Sequence, residues 1–192
     1  MGLAKRIMNR FRYERSRRIS PVMVTGYRRH DGKQLPLTRI SNTTFIDSPD
    51  KLDIGDNVFI GHHNFLDASN GLTVEEGCQL TNFISIVTHS SHQAIRLYGK
   101  EYTRHENRVG YVTGSVRIGA YTFVGPHCVI MPGTDLGKGC LVAAFSFVKG
   151  TFPDFSIVAG NPATRVGDTR ESDRVFLEKH PELRSFYDAW AG

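Results

Sequence analysis

Apolar residues recur along this chain at a spacing of six. Ile118, Val124, Ile130, Leu136, Val142 and Val148 form an unbroken aliphatic ladder, and Thr122, Cys128, Thr134, Cys140 and Ser146 stand four places after the first five of them. Gly or Ala follows the aliphatic residue at Gly119, Gly125, Gly137 and Ala143. A period of six fits neither an amphipathic helix, near 3.6, nor an alternating strand, at 2. It fits a parallel β-helix. Each flat face of a coil takes one hexapeptide, the aliphatic side chain points into a narrow prism, and the small residue occupies the tight corner.

The ladder extends upstream through Ile40, Ile46 and Leu52, then Ile54, Ile60, Leu66 and Leu72, then Val74, Leu80 and Ile86. Two-residue slips at 52–54 and 72–74 predict bulged corners. With three hexapeptides to a triangular coil, about five coils are predicted. The period lapses between Ile86 and Val116. The stretch 88–113 is polar and aromatic and must leave the prism at a corner, and long excursions of this kind usually carry function. After Val148 the pattern ends in Phe152-Pro153 and the run Ser156 to Ala163. Residues 171–190 read as helical, with Leu183, Phe186, Tyr187 and Trp190 on one face and Pro181 as an interruption. This segment is expected to cap the open end of the prism, where the last coil would present unpaired backbone groups. The predicted organisation is a basic N-terminal segment (1–39), a repeat body (40–166) carrying the loop 88–113, and a C-terminal helical cap (167–192).

Charge alters this picture only at the N-terminus. The net charge is +5. Residues 1–30 carry nine Lys and Arg against Glu14 alone, which is +8 and leaves −3 for the remainder. Leu3, Ile7, Met8 and Phe11 fall at helical spacing among these arginines. A short basic amphipathic helix over 3–18 would lie on an anionic membrane surface, face a polyanionic substrate, or cover the first coil as a solvated cap. No nucleic-acid motif accompanies the basic run, so no nucleic-acid partner is expected. No run is apolar enough to span a bilayer and no apolar h-region follows the basic residues, which predicts a cytoplasmic protein, at the inner face of the membrane if the N-terminal segment binds there. Cys78, Cys128 and Cys140 are odd in number and all fall at corner positions, so they read as buried reduced thiols serving as small apolar side chains.

The ladder, the loop that follows Ile86-Val87-Thr88-His89, and the run Ile157-Val158-Ala159-Gly160-Asn161-Pro162-Ala163 together resemble the hexapeptide-repeat acyltransferases. Within them the chain is similar to the maltose and galactoside O-acetyltransferases and the bacterial surface-polysaccharide acetyltransferases, over about residues 40–166. The resemblance implies an all-β, left-handed parallel β-helix, a homotrimer with sites between subunits, acetyl-CoA as acyl donor, no metal, and a sugar or polysaccharide-precursor hydroxyl as acceptor.

A hydroxyl is a poor nucleophile at neutral pH and needs a positioned general base, most often His. His89 matches the family's catalytic histidine, although the family commonly reads His-Pro where this chain reads His89-Ser90. His92 is the rival for that role and a second acceptor-side candidate. Asp67, in Phe65-Leu66-Asp67, matches the Leu-Asp of the sugar acetyltransferases. The resemblance implies contact with the acceptor or support of the site, while bracing a coil corner is an equal alternative. Asn64 is a further acceptor-side candidate. Phe123 stands where relatives often place Trp, which implies an aromatic wall. The pantetheine contacts of the family map to backbone near Gly125, Ala143 and Ala144, and the CoA phosphates to Lys149 and Arg165, each displaced by one place. Pro126 stands where relatives offer a backbone N–H to the developing oxyanion, and Pro has none.

Other readings stay open. The acceptor could be an amino group on a nucleotide-linked sugar. The prism could instead belong to a zinc carbonic anhydrase, for which His62, His63, His89, His92 and His127 supply imidazoles without clear ligand spacing. It could also serve as a non-catalytic scaffold, against which the loop and the Gly160-Asn161-Pro162-Ala163 run both argue.

Overall fold

The computed structural model describes Ile7, Met8 and residues 20–192. The amphipathic segment expected over 3–18 lies outside the described residues, apart from the exposed Ile7 and Met8.

Strands of two or three residues stack in parallel as the faces of a prism. The first face carries Ile40, Ile60, Leu80, Val124, Val142 and Val158 inward and in register. The second carries Ile46, Leu66, Ile86, Ile130 and Val148. The third ends its rungs on Ile54, Val74, Ile118, Leu136 and Phe152. Most of these side chains are fully buried. Each is withdrawn from water by its neighbours above and below, about 2 kcal/mol of transfer free energy apiece.

The third face corrects one expectation. Leu52–Ile54, Leu72–Val74 and Val116–Ile118 are three-residue strands whose end residues are buried and whose middle residue faces out. The slips at 52–54 and 72–74 are therefore plain strand, not bulged corners. Two extra residues preserve the in–out parity of a strand, so the face lengthens without disturbing the core. Past Ile118 the next rung is Leu136, and the coil contracts to three hexapeptides.

Corner residues are small because they must also satisfy the backbone. The hydroxyls of Thr122, Thr134 and Ser146 donate to the carbonyls of Gly137, Met131 and Ala143 at 3.0, 2.7 and 2.7 Å. Cysteine does the same weakly, with Cys78 Sγ 3.1 Å from the Gly119 carbonyl. All three cysteines are free and buried, and burial pushes the Cys78 thiol up to about 12.

The excursion leaves between the second and third faces. His89–Ser90 pairs antiparallel with Val112–Thr113, and the Gly114 N–H donates to the Thr88 carbonyl at 3.0 Å, closing the neck. Between them lie a short helix α1 (Ala94–Tyr98) and a 3-10 turn (Gly99–Arg104).

At the N-terminal end Met23–Arg28 forms an antiparallel hairpin with Gln34–Ser41. At the other end Ser156–Gly160 turns through a cis Asn161–Pro162 bond into Ala163–Asp168, which pairs back on it. Helices α2 (Thr169–Lys179) and α3 (Arg184–Ala191) follow, with Pro181 opening the 3-10 turn between them. They do not meet the expectation of a lid across the open end. Trp190 packs on Tyr121 and Phe155, with ring centroids 4.6 and 5.9 Å away, and Lys138 Nζ donates to the last three carbonyls. The apolar helix face is drawn to the aromatic corner between the third and first faces. The returning strand 163–168 pairs the last strand of the first face instead.

Candidate active site

The neck of the excursion brings four polar side chains together. Asp67 ends a strand of the second face, and Thr88 and His89 leave the same face one coil further on. A coil here is twenty residues long, so position 69 stacks beneath position 89, and the corner turn after Asp67 carries Ser69 toward it. Asp67 is fully buried. Its Oδ1 accepts from the Ser69 N–H at 2.8 Å. Its Oδ2 accepts from the Thr88 N–H at 2.8 Å and the Thr88 hydroxyl at 2.9 Å. Nδ1 of His89 lies 2.8 Å from the same Oδ2.

Burial pushes the Asp67 carboxyl up, but hydrogen bonds from Ser69 and Thr88 outweigh it and hold the group well below the usual carboxylate range. An ionised carboxylate at that distance from a bare Nδ1 would set lone pair against lone pair. Nδ1 also lies 3.4 Å from the Ser69 hydroxyl; the nearer carboxylate favours the tautomer with the proton on Nδ1, which in the neutral ring leaves Nε2 as the free base. The His89 side chain remains 40% accessible. The Tyr111 ring stacks on it, with centroids 5.8 Å apart and planes 16° from parallel. The arrangement can accept a proton from a bound group at Nε2 while Asp67 stabilises the imidazolium that results.

The other sequence candidates separate from this cluster. His92 lies on the excursion, its Nδ1 2.9 Å from the Ser90 hydroxyl, turned to solvent. Asn64 is buried at the corner between the first and second faces. Its amide donates to the Gly61 and Thr81 carbonyls and its oxygen accepts from Ile84 N–H, so it braces coils and has no face left for a sugar. Asp67, likewise buried, supports His89 and offers no surface to an acceptor. Phe123 projects outward from the first face, away from the neck.

Gly125, Ala143 and Ala144 stand at the corner between the first and second faces, separated from His89 by the width of the second. A Cβ at Gly125 would fall 2.7 Å from the Ala144 nitrogen and 3.0 Å from the Val142 oxygen. The glycine is required by the approach of successive coils, whatever else passes there. Lys149 is exposed at the corner between the second and third faces, the corner from which the excursion carrying His89 also leaves, two coils further along. Arg165 pairs with Asp168 at 3.0 Å, which spends part of its charge.

Ser69, Thr88 and Tyr111 complete the cluster. Thr88 stood in the motif and Ser69 is legible from the twenty-residue coil. Tyr111 returns on an irregular path that no period encodes. Among the described residues no group of three or more His, Cys, Asp and Glu converges as metal ligands would. A cavity of about 380 Å³ between the N-terminal hairpin and the third face is lined by Arg29, Asp53, Glu75 and Glu76. Two of its charges are already paired, Arg29 with Asp53 and Glu75 with Arg117 outside the lining.

Residues 115–150 match the family model described as bacterial transferase hexapeptide, six repeats. A probable acetyltransferase of Mycobacterium tuberculosis is 25% identical over 132 residues, 69% of this chain and 42% of that protein. The chain spans less than half the length of the curated relatives it matches, from 38% to 45% of the first three. Among solved structures, a maltose O-acetyltransferase from Clostridium difficile superposes with a TM-score of 0.55 at 18% identity, covering 66% of this chain and 64% of that one. An N-acyltransferase from Bacillus cereus, solved with dTDP and 3-hydroxybutyryl-CoA, superposes at 0.57 and 20% identity, covering 78% and 88%. These likenesses fix the fold as a left-handed β-helix.

Proposed function

We propose that this chain, a hexapeptide-repeat protein of left-handed β-helical fold, is an acetyl-CoA-dependent O-acetyltransferase acting on a sugar hydroxyl in cell-surface polysaccharide synthesis. The observation that carries the reading is the contact of His89 Nδ1 with the buried Asp67 carboxylate, which leaves Nε2 free at the neck of the excursion. Donor and acceptor bind together. The acceptor hydroxyl attacks the thioester carbonyl as His89 Nε2 takes its proton. The C–O bond forms, the C–S bond breaks, and the proton passes to the departing CoA sulfur. Asp67 stays ionised throughout and holds the imidazole in its working tautomer. No acyl-enzyme is needed, and the buried, strongly protonated Cys78 offers no thiolate.

The donor contacts proposed at Gly125, Ala143, Ala144 and Lys149 occupy two corners of one prism, and Arg165 lies on the returning strand beside the first face. Arg165 is already paired, so Lys149 is the stronger phosphate contact. A site formed between neighbouring copies in a homotrimer would join the two corners, and the exposed stacked pair Phe45–Phe65 on the intervening second face supports such contact. The transition state must find its oxyanion donor elsewhere than Pro126. Contact of residues 1–18 with a membrane surface belongs to the same proposal. Among the described residues no helix is long and apolar enough to cross a bilayer.

The test is His89→Ala, assayed by release of free CoA thiol with a panel of sugar acceptors. A loss of on the order of 10²–10⁴ in kcat with CoA binding intact is expected for a general base. Turnover within a few fold of wild type would refute the role of His89.

A further inference from the structure

A shallow cleft of about 370 Å³ on the excursion is lined by Glu106, Asn107, Arg108, Val109, Tyr111 and Thr113. Two of these residues tie it to the base. Tyr111 stacks on the imidazole, and Thr113 is the strand partner of His89. Its size falls at the lower end of the range for small-molecule sites. The wall is built, not incidental. The Tyr111 N–H donates to the Arg108 carbonyl at 3.1 Å, Gly110 takes φ +82° within that turn, and its carbonyl accepts from Ala94 N–H at the start of α1.

Arg108 is the unusual member. Its guanidinium lies 4.2 Å from the Tyr102 ring centroid and its Nε donates to the Tyr102 carbonyl at 2.7 Å. That holds the planar group in one orientation while leaving its other N–H donors unspent. Among the described residues no carboxylate lies within ion-pair distance of it. Glu106 lines the same cavity but is exposed, whereas Arg108 is partly buried. The less-screened charge at the wall is therefore the positive one. A fixed, partly buried guanidinium without a carboxylate is suited to a planar or tetrahedral anion.

The geometry points to Arg108 as a specificity residue that anchors an anionic group, carboxylate or phosphate, on the acceptor sugar while His89 faces the hydroxyl to be acylated. This deepens the proposed acetyl transfer and rests on it for the identity of the acceptor, though not for the binding itself. The test is therefore a binding measurement without donor. D-glucuronate, glucose 1-phosphate and glucose are titrated by calorimetry into wild type, His89→Ala, Arg108→Gln and Arg108→Lys, each checked for an unchanged unfolding midpoint. Wild type and His89→Ala should prefer an anionic sugar to glucose. Arg108→Gln should lose roughly ten- to a hundredfold in affinity for that anion, as expected for a hydrogen bond to a charged group, with no change for glucose. Arg108→Lys should recover part of the loss. Which anion responds separates the carboxylate from the phosphate. Equal binding of all three sugars, or an equal loss for glucose in Arg108→Gln, overturns the inference. Intact anion selectivity with no thiol release for any acceptor would support Arg108 and overturn the transferase reading alone.

Discussion

Replacing Asp67 with Asn separates the electrostatics of the site from its shape. The carboxylate receives donors on both oxygens: the Ser69 N–H on Oδ1, and the Thr88 N–H and the Thr88 hydroxyl on Oδ2, with His89 Nδ1 2.8 Å from Oδ2. A carboxamide keeps one oxygen. With that oxygen toward Thr88, its NH2 opposes the Ser69 N–H; reversed, it opposes the Thr88 N–H and the imidazole. The first orientation leaves one buried donor unmet and the reverse leaves more, so the first is adopted at a cost of about 1–3 kcal/mol, and hydrogen bonds to a charged acceptor are replaced by neutral ones, about 1 kcal/mol more. The expected destabilisation is about 2–4 kcal/mol, read from denaturant unfolding. The Asp67 pKa is lower folded than unfolded, so its stabilisation is present above the ordinary carboxylate range, near 4. It is lost as pH falls from there through the depressed folded value. The gap between wild type and Asp67→Asn should therefore be full at pH 7 and narrow below about pH 4. Acetyl transfer should fall at least about 10²-fold, because the tautomer with Nε2 free is no longer enforced. Full turnover together with a pH-independent stability gap would refute the dyad.

Two further outcomes test the fold. Gly125→Ala should lower stability by about 1–3 kcal/mol in chemical denaturation, since the new methyl would sit 2.7 Å from the Ala144 nitrogen and the coils must part to admit it. Cys78, with its thiol raised to about 12, should have about one part in 10⁴ thiolate at pH 8 and should resist thiol reagents until the protein unfolds, as followed by mass spectrometry.

The prism was legible in the sequence because a coil is rigid and repetitive. Every inward rung meets the same environment, so the same residue type returns every sixth place, and a break in the ladder marks where the chain leaves. The excursion at 88–113 and the small corner residues followed from that one regularity, while the choice of His89 at its root came from the resemblance to the hexapeptide-repeat acyltransferases. Parity also explains the misreading at 52–54 and 72–74, where two added residues lengthen a strand and look on paper like a slip between corners.

Contacts between coils were beyond that reading. Asp67 and His89 are twenty-two residues apart, and they touch only because the coil is twenty residues long and a corner turn lies between them. Burial then removed Asp67 and Asn64 from the substrate side, since a side chain whose polar atoms are all spent on the backbone has nothing left for a ligand. Tyr111 and Arg108 reach the site along a path set by Gly110, α1 and the ring of Tyr102. An aperiodic path of that kind arises from the sum of local contacts, and no spacing in the chain announces it.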